Sequence, residues 1–131
     1  MKALFDSSSI FRAIKENQVE CLIGNSTLEL ARYELGNVLW KNYFLHKKAT
    51  DHETRSLTKI VKDALSLMVI EQIGCTEEKI LEIAARLRIS FYDASYVYHA
   101  KAKKYALVTE DQQLAGKVES FIEAISLDGW L

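Results

Sequence analysis

Two stretches of the chain share one design, in which a short apolar run is followed by hydroxyl and carboxylate side chains and then by a helical pattern. The first is Ala3-Leu4-Phe5-Asp6-Ser7-Ser8, and the second is Ala106-Leu107-Val108-Thr109-Glu110-Asp111. Such apolar runs are typical of strands, and Asp and Ser are typical of helix starts. In a parallel sheet, the carboxyl ends of strands border the crevice where ligands bind. We therefore expect Asp6 and Asp111 to lie near a metal ion or a phosphate.

The rest of the chain alternates between the same two kinds of pattern. Besides residues 2–5 and 106–108, strands are predicted near 19–23, within 67–73 and within 121–127. Helices are predicted over residues 8–16, 27–47, 51–66, 76–87, 90–104 and 112–118. Strands separated by helices indicate an α/β layer fold with a parallel sheet. Because the chain has no proline, few glycines and no low-complexity tract, we expect one domain over residues 1–131.

The composition indicates a broad class of protein but no specific binding partner. Nearly half of the residues are apolar, and the formal net charge is -1, which is typical of a soluble globular domain. No apolar stretch has the length of a membrane span, and no export signal is seen at the N-terminus. Cys21 and Cys75 lack the spacing of a zinc site or a disulfide framework, so both are predicted to be reduced core residues. A cytoplasmic location, with no membrane partner, is expected.

Both strand-end turns also have a purely structural interpretation. Asp6 and Asp111 each stand where a carboxylate caps the helix that follows, and capping alone explains such a residue. Thr109 is placed either to orient Asp111 or to act as a simple cap, and Glu110 is expected to be a solvated neighbour. The residues by themselves leave both roles open for Asp6 and Asp111.

Asp93 is harder to explain without a function, because it falls on the apolar stripe of its helix with Tyr96, Val97 and Ala100. A buried carboxylate needs a cation, a hydrogen-bond donor or water, since an unpaired charge in an apolar setting is costly. The structural alternative is a variant capping box formed by Ser90 and Asp93. A functional role is favoured.

Glu34 lies at the border of the apolar arc of the long predicted helix. Asn37, about one turn later, is placed to form a hydrogen bond with Glu34 or with a ligand. The structural alternative is an ion pair between Glu34 and Lys41 or Lys48. A single glutamate on a helix is usually explained by such a pair, so Glu34 indicates a site only together with the other carboxylates.

In their order along the chain, these residues resemble the motifs of PIN-domain nucleases, especially the small toxins of VapBC-type toxin–antitoxin pairs. The matching strings are Phe5-Asp6-Ser7-Ser8, Tyr33-Glu34-Leu35-Gly36-Asn37, Tyr92-Asp93-Ala94 and Val108-Thr109-Glu110-Asp111. The resemblance runs nearly end to end and implies a PIN-like three-layer fold, with a central and mainly parallel sheet flanked by helices. Tyr96 and Val97 stand where an additional acidic residue can follow the third motif, which leaves a second metal ion open.

The same resemblance implies a catalytic site of acidic residues that bind one or two Mg²⁺ or Mn²⁺ ions. Its members are Asp6, Glu34, Asp93 and Asp111. Asp6 and Asp93 are expected to contact the metal directly, with Ser8, Asn37 and Thr109 supporting the ligands. Hard cations prefer oxygen ligands, and they relieve the repulsion among converging carboxylates. The resemblance implies a metal-dependent endoribonuclease that hydrolyses RNA phosphodiester bonds. It also implies that the protein is the toxin of a toxin–antitoxin pair and is held inactive by a cognate antitoxin.

Candidate contacts with RNA and with protein partners lie on the predicted helices. The candidates for phosphate binding are Lys41, Lys47, Lys48, Lys101, Lys103 and Lys104, although each lysine alone is better explained as a solvated charge. The aromatic residues Tyr33, Trp40, Tyr43 and Phe44 are candidates for stacking on unpaired bases, although aromatic residues on a helix more often pack or form interfaces. Because they lie away from the main apolar face, formation of a homodimer or antitoxin binding is expected there. His46, His52 and His99 share no spacing and are assigned no chemistry.

Two other classes of protein fit parts of the pattern. A non-catalytic PIN-like module would bind RNA or a protein and use the same carboxylates as caps and polar contacts. A phospho-acceptor receiver domain shares the α/β layout and an early Asp, but no acidic pair follows the first strand together with an acceptor Asp at a central strand end. The nuclease interpretation is therefore preferred.

Overall fold

The computed structural model describes all 131 residues, and five short parallel strands form one sheet in the order β3-β2-β1-β4-β5. The strands are β1 (Ala3–Phe5), β2 (Ser26–Leu28), β3 (Val69–Glu71), β4 (Ala106–Val108) and β5 (Ala124–Ile125). The helices are α1 (Ser7–Lys15), α2 (Leu30–Trp40), α3 (Asp51–Ser66), α4 (Glu77–Leu87), α5 (Phe91–Lys103), α6 (Gln112–Val118) and α7 (Leu127–Trp130). None of the helices is both long enough and apolar enough to span a membrane.

Alternate side chains of the central strands fill two cores on opposite faces of the sheet, because successive residues of a strand point in opposite directions. Ala3 and Phe5 of β1 pack on one face with helices α1, α2 and α3, whereas Leu4 packs on the other face with α4 and α5. Val108 and Leu107 of β4 divide between the two cores in the same way. The predicted three-layer α/β fold with a parallel sheet is confirmed.

The strand order places a crevice between β1 and β4. The chain runs outward from β1 to β2 and β3, and it then continues on the other side of β1 with β4 and β5. Phe5 and Val108 are register partners at the adjacent ends of β1 and β4. Helix α1 leaves toward one face of the sheet and α6 toward the other. Two neighbouring strand ends whose helices diverge form the switch point at which α/β proteins bind ligands.

Helix boundaries that depend on local caps agree with the predictions. Thr50 and Glu53 form a reciprocal capping box at the start of α3, and the Ser90 side chain caps α5. Helix α4 ends at Arg88, which has a left-handed backbone conformation with φ of 56°. These signals act within a few residues, which explains why the sequence indicates them correctly.

The segment between α1 and α2 differs from the prediction. The strand predicted at residues 19–23 is wrong, because Val19–Leu22 form a 3-10 helix. The strand β2 lies instead at Ser26–Leu28, partly inside the predicted helix 27–47. Its position depends on β1: the Thr27 hydroxyl donates to the Phe5 carbonyl at 2.7 Å, and the Ala3 N–H donates to Asn25 Oδ1 at 2.9 Å. Such contacts between distant residues leave no local signal.

The strand predicted within 121–127 is confirmed as β5, which is two residues long and is followed by α7. Two further predictions need correction. The long helix predicted over 27–47 is α2 followed by a π-helical turn at Lys41–Leu45. Both cysteines are free thiols, but Cys75 is exposed and Cys21 is only partly buried, so neither is a fully buried core residue.

Candidate active site

Asp6 is the most buried carboxylate at the crevice. It lies directly after β1 with a side chain that is only 6 % exposed. Its Oδ1 accepts hydrogen bonds from Ser8 Oγ at 2.7 Å and from the Ser9 N–H at 3.0 Å, the second of which caps α1. Burial raises the pKa of Asp6, and hydrogen bonds from Thr109, Ser8 and Ser9 oppose that rise. Capping and a place in the site are therefore compatible roles of one side chain.

Hydroxyl groups connect the turn after β1 with the turn after β4. Ser8 Oγ lies 3.4 Å from Thr109 Oγ1 and accepts a hydrogen bond from the Glu110 N–H at 3.0 Å. Thr109 Oγ1 in turn accepts from the Asp111 N–H at 3.1 Å. Ser8 and Thr109 thus lie between Asp6 and Asp111, where the sequence predicts supporting residues.

Asp111 begins α6 and is exposed. Its Oδ1 caps the helix by accepting from the Leu114 N–H at 3.0 Å. Asp93 lies opposite, in the first turn of α5, where the Ser90 hydroxyl accepts from the Asp93 N–H at 3.0 Å. Burial raises the pKa of Asp93, and the negative charges of Asp111 and Asp6 raise it further. Asp93 therefore lies within electrostatic range of both strand-end carboxylates.

Glu34 joins this group from helix α2. Its Oε1 accepts a hydrogen bond from the Tyr96 hydroxyl at 2.7 Å. Burial raises the pKa of Glu34, and the charges of Asp6 and Asp93 raise it further. The alternative of an ion pair with Lys41 or Lys48 is wrong, because neither lysine forms one.

Among the predicted site residues, only Asn37 forms no hydrogen bond within the site. It is exposed on α2, and the hydrogen bond expected between Asn37 and Glu34 is not formed. Tyr96 has the role instead, since its buried hydroxyl connects α5 with Glu34. The sequence contained a signal for this role, because Tyr96 follows Asp93 by three residues on the same helix stripe.

The four carboxylates share one electrostatic field without forming a complete coordination shell. No group of three His, Cys, Asp or Glu side chains is spaced closely enough to hold a metal ion. Mg²⁺ is usually held by only one or two carboxylates and keeps several waters. The oxygen-only donors, two of them with pKa values raised by neighbouring charges, fit a hard divalent cation that would relieve the repulsion.

Two cationic residues that no sequence motif indicated, Arg88 and Lys117, lie beside the carboxylates. Arg88 and Lys117 line a cavity of about 170 Å³ together with Asp93 and Asp111. The Lys117 ammonium donates to the Arg88 carbonyl at 3.0 Å, and its positive charge lowers the pKa of Asp93. Their positions depend on helix ends that meet only in the folded chain.

The lysines near the end of α5 lie elsewhere. Lys103 is paired with Glu71 at 2.9 Å. Lys101 and Lys104 line a separate pocket with Met1 and Lys2, at the end of β1 that is opposite Asp6. These three residues therefore do not flank the acidic site, contrary to their suggested role as phosphate contacts.

Glu110 is not the solvated neighbour that the sequence suggested. Its carboxylate pairs with the Arg12 guanidinium of α1 and accepts from the Leu127 N–H of α7 at 2.7 Å. Arg12 also pairs with Glu16 and Asp128. Glu110 therefore holds the turn after β4 against α1 and α7.

Known proteins resemble this chain both in sequence and in fold. No family model matches the chain. The chain is 35% identical over 100 residues to the exonuclease VapC9 of Pyrobaculum aerophilum, a match that covers 76% of this chain and 71% of that protein. The chain belongs to the VapC family of PIN-domain nucleases. The resemblance inferred from the four acidic motifs is thereby confirmed.

Two solved structures share the fold of this chain. The structure of PAE2754 from P. aerophilum superposes with a TM-score of 0.82 at 26% identity, covering 98% of this chain and 85% of that one. The VapBC2 structure from Rickettsia felis, bound to a DNA fragment from its promoter, gives a TM-score of 0.65 at 16% identity. That match covers 98% of this chain and 100% of the other, and at this identity it shows the fold alone.

Proposed function

We propose that this member of the VapC family is the toxin of a toxin–antitoxin pair and acts as a metal-dependent endoribonuclease. The observation that carries the proposal is the mutual influence of carboxylates from separate elements. Burial is the main cause that raises the pKa values of Glu34 and Asp93; the charges of Asp6 and Asp93 raise that of Glu34 further, and the charges of Asp111 and Asp6 raise that of Asp93 further. Such a cluster of like charges is unfavourable unless a cation binds, and perturbed carboxylates in a crevice are typical of catalytic sites.

In this proposal the cation is Mg²⁺ or Mn²⁺, held by Asp6 and Asp93, with Asp111 and Glu34 binding directly or through water. When bound, the ion supplies Lewis-acid activation of water and stabilises charge on the phosphate oxygens. The residues of the protein orient the carboxylates that would bind the ion. Ser8 and the Ser9 N–H orient Asp6, and Tyr96 orients Glu34. Fixed hydrogen bonds of this kind keep ligands in place and determine their basicity.

RNA binding is assigned to the cations beside the carboxylates. Arg88 and Lys117 share a cavity with Asp93 and Asp111, so a phosphate next to the one that is cleaved would meet positive charge there. Phosphate contacts position a strand without reading its sequence. We assign these residues the role that the sequence analysis gave to the distal lysines.

Cleavage within a strand, and not only at its end, is the proposed mode. The relative VapC9 is named an exonuclease. In this chain, however, Asp93 lines one cavity together with Arg88 and Lys117, and its neighbour Tyr92 lines a different cavity together with Leu30. A strand therefore has room to continue in both directions past the carboxylates. A circular RNA, which has no ends, distinguishes the two modes.

Protein partners are assigned to an exposed aromatic surface on α2 and the π-helical turn. Its residues are Tyr33, Trp40, Phe44 and Leu45, all of them exposed. Large exposed apolar groups in a cluster mark interaction sites. We propose that a cognate antitoxin or a second copy of the chain covers this surface in the cytoplasm, and that residues 1–131 act as a single PIN domain.

The decisive experiment is cleavage of linear and circular single-stranded RNA with Mg²⁺ or Mn²⁺. We expect both substrates to be cut, with excess chelator stopping the reaction. Asp93→Asn should lower the rate by at least about a hundred-fold, because even residues outside the metal's ligand set typically cost ten- to a hundred-fold. Asp63→Asn, which changes an exposed carboxylate on α3, is the matched control.

Full activity of Asp93→Asn, or cleavage in chelator, would contradict the proposed mechanism. Cleavage of the linear substrate alone would replace the endonuclease assignment by an exonuclease. The non-catalytic alternative has one observation in its favour, namely that no three acidic side chains are spaced to hold an ion. That alternative predicts RNA binding by the wild type with no cleavage under any metal condition.

A further inference from the structure

A second cavity, of about 200 Å³, lies beside the acidic site and has no part in the metal chemistry. Its apolar wall is formed by Leu28, Leu30, Ile73, Phe91 and Tyr92. Tyr92 is 60% exposed, so its ring stands at the mouth of the cavity. Pockets for drug-sized ligands have roughly 300 to 1,000 Å³. The size therefore suits a single flat ring system.

The cavity is a neighbour of the acidic site, because helices α2 and α5 contribute residues to both. Leu30 begins α2, about one turn before Glu34, and Tyr92 directly precedes Asp93 on α5. Successive residues of a helix point about 100° apart. Tyr92 accordingly lines this cavity, whereas Asp93 lines the cavity of Arg88 and Lys117. The carboxylates lie between an apolar pocket and a cationic one.

Hydrogen bonds fix the walls of the apolar cavity before anything binds. The His99 ring nitrogens lie 3.0 Å from the carbonyl oxygens of Ser95 and Gln72, which connects α5 to the segment after β3. The Glu29 N–H donates to the Glu71 carbonyl at 3.1 Å, which joins the ends of β2 and β3. A preformed pocket avoids the entropy loss of ordering its walls upon binding.

The cavity offers no positive charge to a phosphate. No lysine or arginine lines it. Glu29 and Glu71 do line it, and their carboxylates are paired with Arg32 and Lys103, which lie outside the lining. A phosphate would find no cationic partner and an apolar wall, so the occupant should be the uncharged part of a nucleotide.

We propose that this cavity binds one unpaired base of the RNA strand, stacked on Tyr92, next to the phosphate that lies at the carboxylates. This inference rests on the nuclease function proposed above and adds a base-recognition site to it. Unpaired bases stack on aromatic side chains in proteins that bind single strands. The strand would then run from the apolar cavity, across the acidic residues, to Arg88 and Lys117. A base-paired stretch could not enter, so the substrate must be unpaired at this position.

The test measures binding of a short, labelled ribose-phosphate chain that carries a single adenine, against the same chain without any base. Fluorescence anisotropy in Ca²⁺ reports the affinity of the wild type for each chain. We expect the single adenine to improve binding by roughly ten-fold, since stacking on one aromatic ring is worth about 1 to 3 kcal/mol. Tyr92→Ala should remove this preference, and Tyr92→Phe should retain it.

The matched control is Leu81→Ala, which removes a large apolar side chain of the same exposure, 60%, from helix α4. This variant should keep the preference for the adenine-bearing chain. Equal affinities of the wild type for the two chains, no measurable binding of either, or a preference that survives in Tyr92→Ala would overturn the proposal. If Tyr92→Ala keeps the preference for the adenine-bearing chain but no longer self-associates in sedimentation, the cavity is a contact between two copies and the proposal is overturned.

The two proposals fail separately. RNA cleavage with no base preference refutes the base pocket and leaves the nuclease function standing. A base preference that depends on Tyr92, without cleavage in any metal, supports the pocket and refutes the nuclease.

Discussion

The turns after β1 and β4 have the same local design but very different surroundings. Asp6 is almost fully buried, and Ser8 and Ser9 donate to its Oδ1. Asp111 is exposed, and its side chain accepts only from the Leu114 N–H. The same strand–carboxylate–helix motif therefore gives a buried, multiply hydrogen-bonded carboxylate in one place and an exposed carboxylate in the other.

The difference comes from what covers each turn. Ser9, which follows Asp6, also donates to the Val108 carbonyl at 2.7 Å, and the Asp6 N–H donates to the same carbonyl at 3.2 Å. Asp6 is thus attached to both central strands. Asp111 lies one residue beyond the hydrogen-bonded Glu110 and faces solvent. A buried and a solvent-facing carboxylate should respond differently to substitution.

The largest expected effect separates the two carboxylates by their response to metal. Asp6→Ala and Asp111→Ala should each reduce RNA cleavage by at least about a hundred-fold at low Mn²⁺. Raising Mn²⁺ should restore Asp111→Ala to within roughly ten-fold of the wild type, but not Asp6→Ala, because a preorganised ligand contributes more than a mobile one. Cleavage rates over a Mn²⁺ titration, with circular dichroism to verify folding, measure this. Identical Mn²⁺ responses of Asp6→Ala and Asp111→Ala would contradict a functional difference between the buried and the exposed carboxylate.

The next effect concerns the residue that holds the β4 turn in place. Glu110→Ala removes the bond to the Leu127 N–H and the ion pair with Arg12. We expect it to lower the free energy of unfolding by about 1.5 kcal/mol, the usual scale for a hydrogen bond to a charged group. Urea denaturation measures the change. Glu119→Ala, on the exposed end of α6, is the control. Equal stability of the two variants would show that Glu110 does not hold the turn.

A smaller effect is expected on RNA affinity, which should depend on lysines at one end of the sheet but not at the other. Lys117→Ala should weaken RNA binding by a few-fold at low salt and reduce the slope of log affinity against log salt by about 1. Lys104→Ala, at the end of β1 away from Asp6, should leave both quantities unchanged. Filter binding over a salt series measures this. Equal losses in the two variants would mean that RNA crosses both ends of the molecule.

The smallest effect is on stability without metal. Burial and negative neighbours raise the pKa of Asp93 above its ordinary value of 3.8. A raised folded-state pKa contributes stability that is present below the unfolded-state pKa and is lost as pH rises through the folded-state value. In chelator, the Tm of Asp93→Asn should therefore exceed that of the wild type by up to a few degrees at neutral pH, with the difference vanishing in acid. Mg²⁺ should reduce this difference. A Tm of Asp93→Asn below that of the wild type at neutral pH would contradict the assigned repulsion.

Features that depend on neighbours in sequence were predictable. The bounds of α3 and α6 and the position of β4 agree with the pattern, since capping residues and short apolar runs act over a few residues. The four acidic positions were identified for a related reason, because the order of their motifs is itself a sequence property. Their roles as metal ligands remain a prediction.

Features that depend on distant partners were missed or misassigned. Strand β2 is held by β1, and the Glu110 carboxylate is held by Arg12 and Leu127. The Tyr96 hydroxyl of α5 bonds to Glu34 of α2, although the two helices pack on opposite faces of the sheet. None of these pairings follows from the composition of either segment alone.

The sequence by itself determined the alternation of strands and helices, the helix caps and the set of carboxylates, because each of these depends on short-range patterns. Only the tertiary structure decided that Asp6 is buried while Asp111 is exposed, and that Arg88, Lys117 and Tyr92 flank the acidic residues. The physical reason is that burial, electrostatic repulsion and pocket shape depend on distances in space between residues far apart along the chain. Such distances exist only once the sheet has formed and its helices have packed on it.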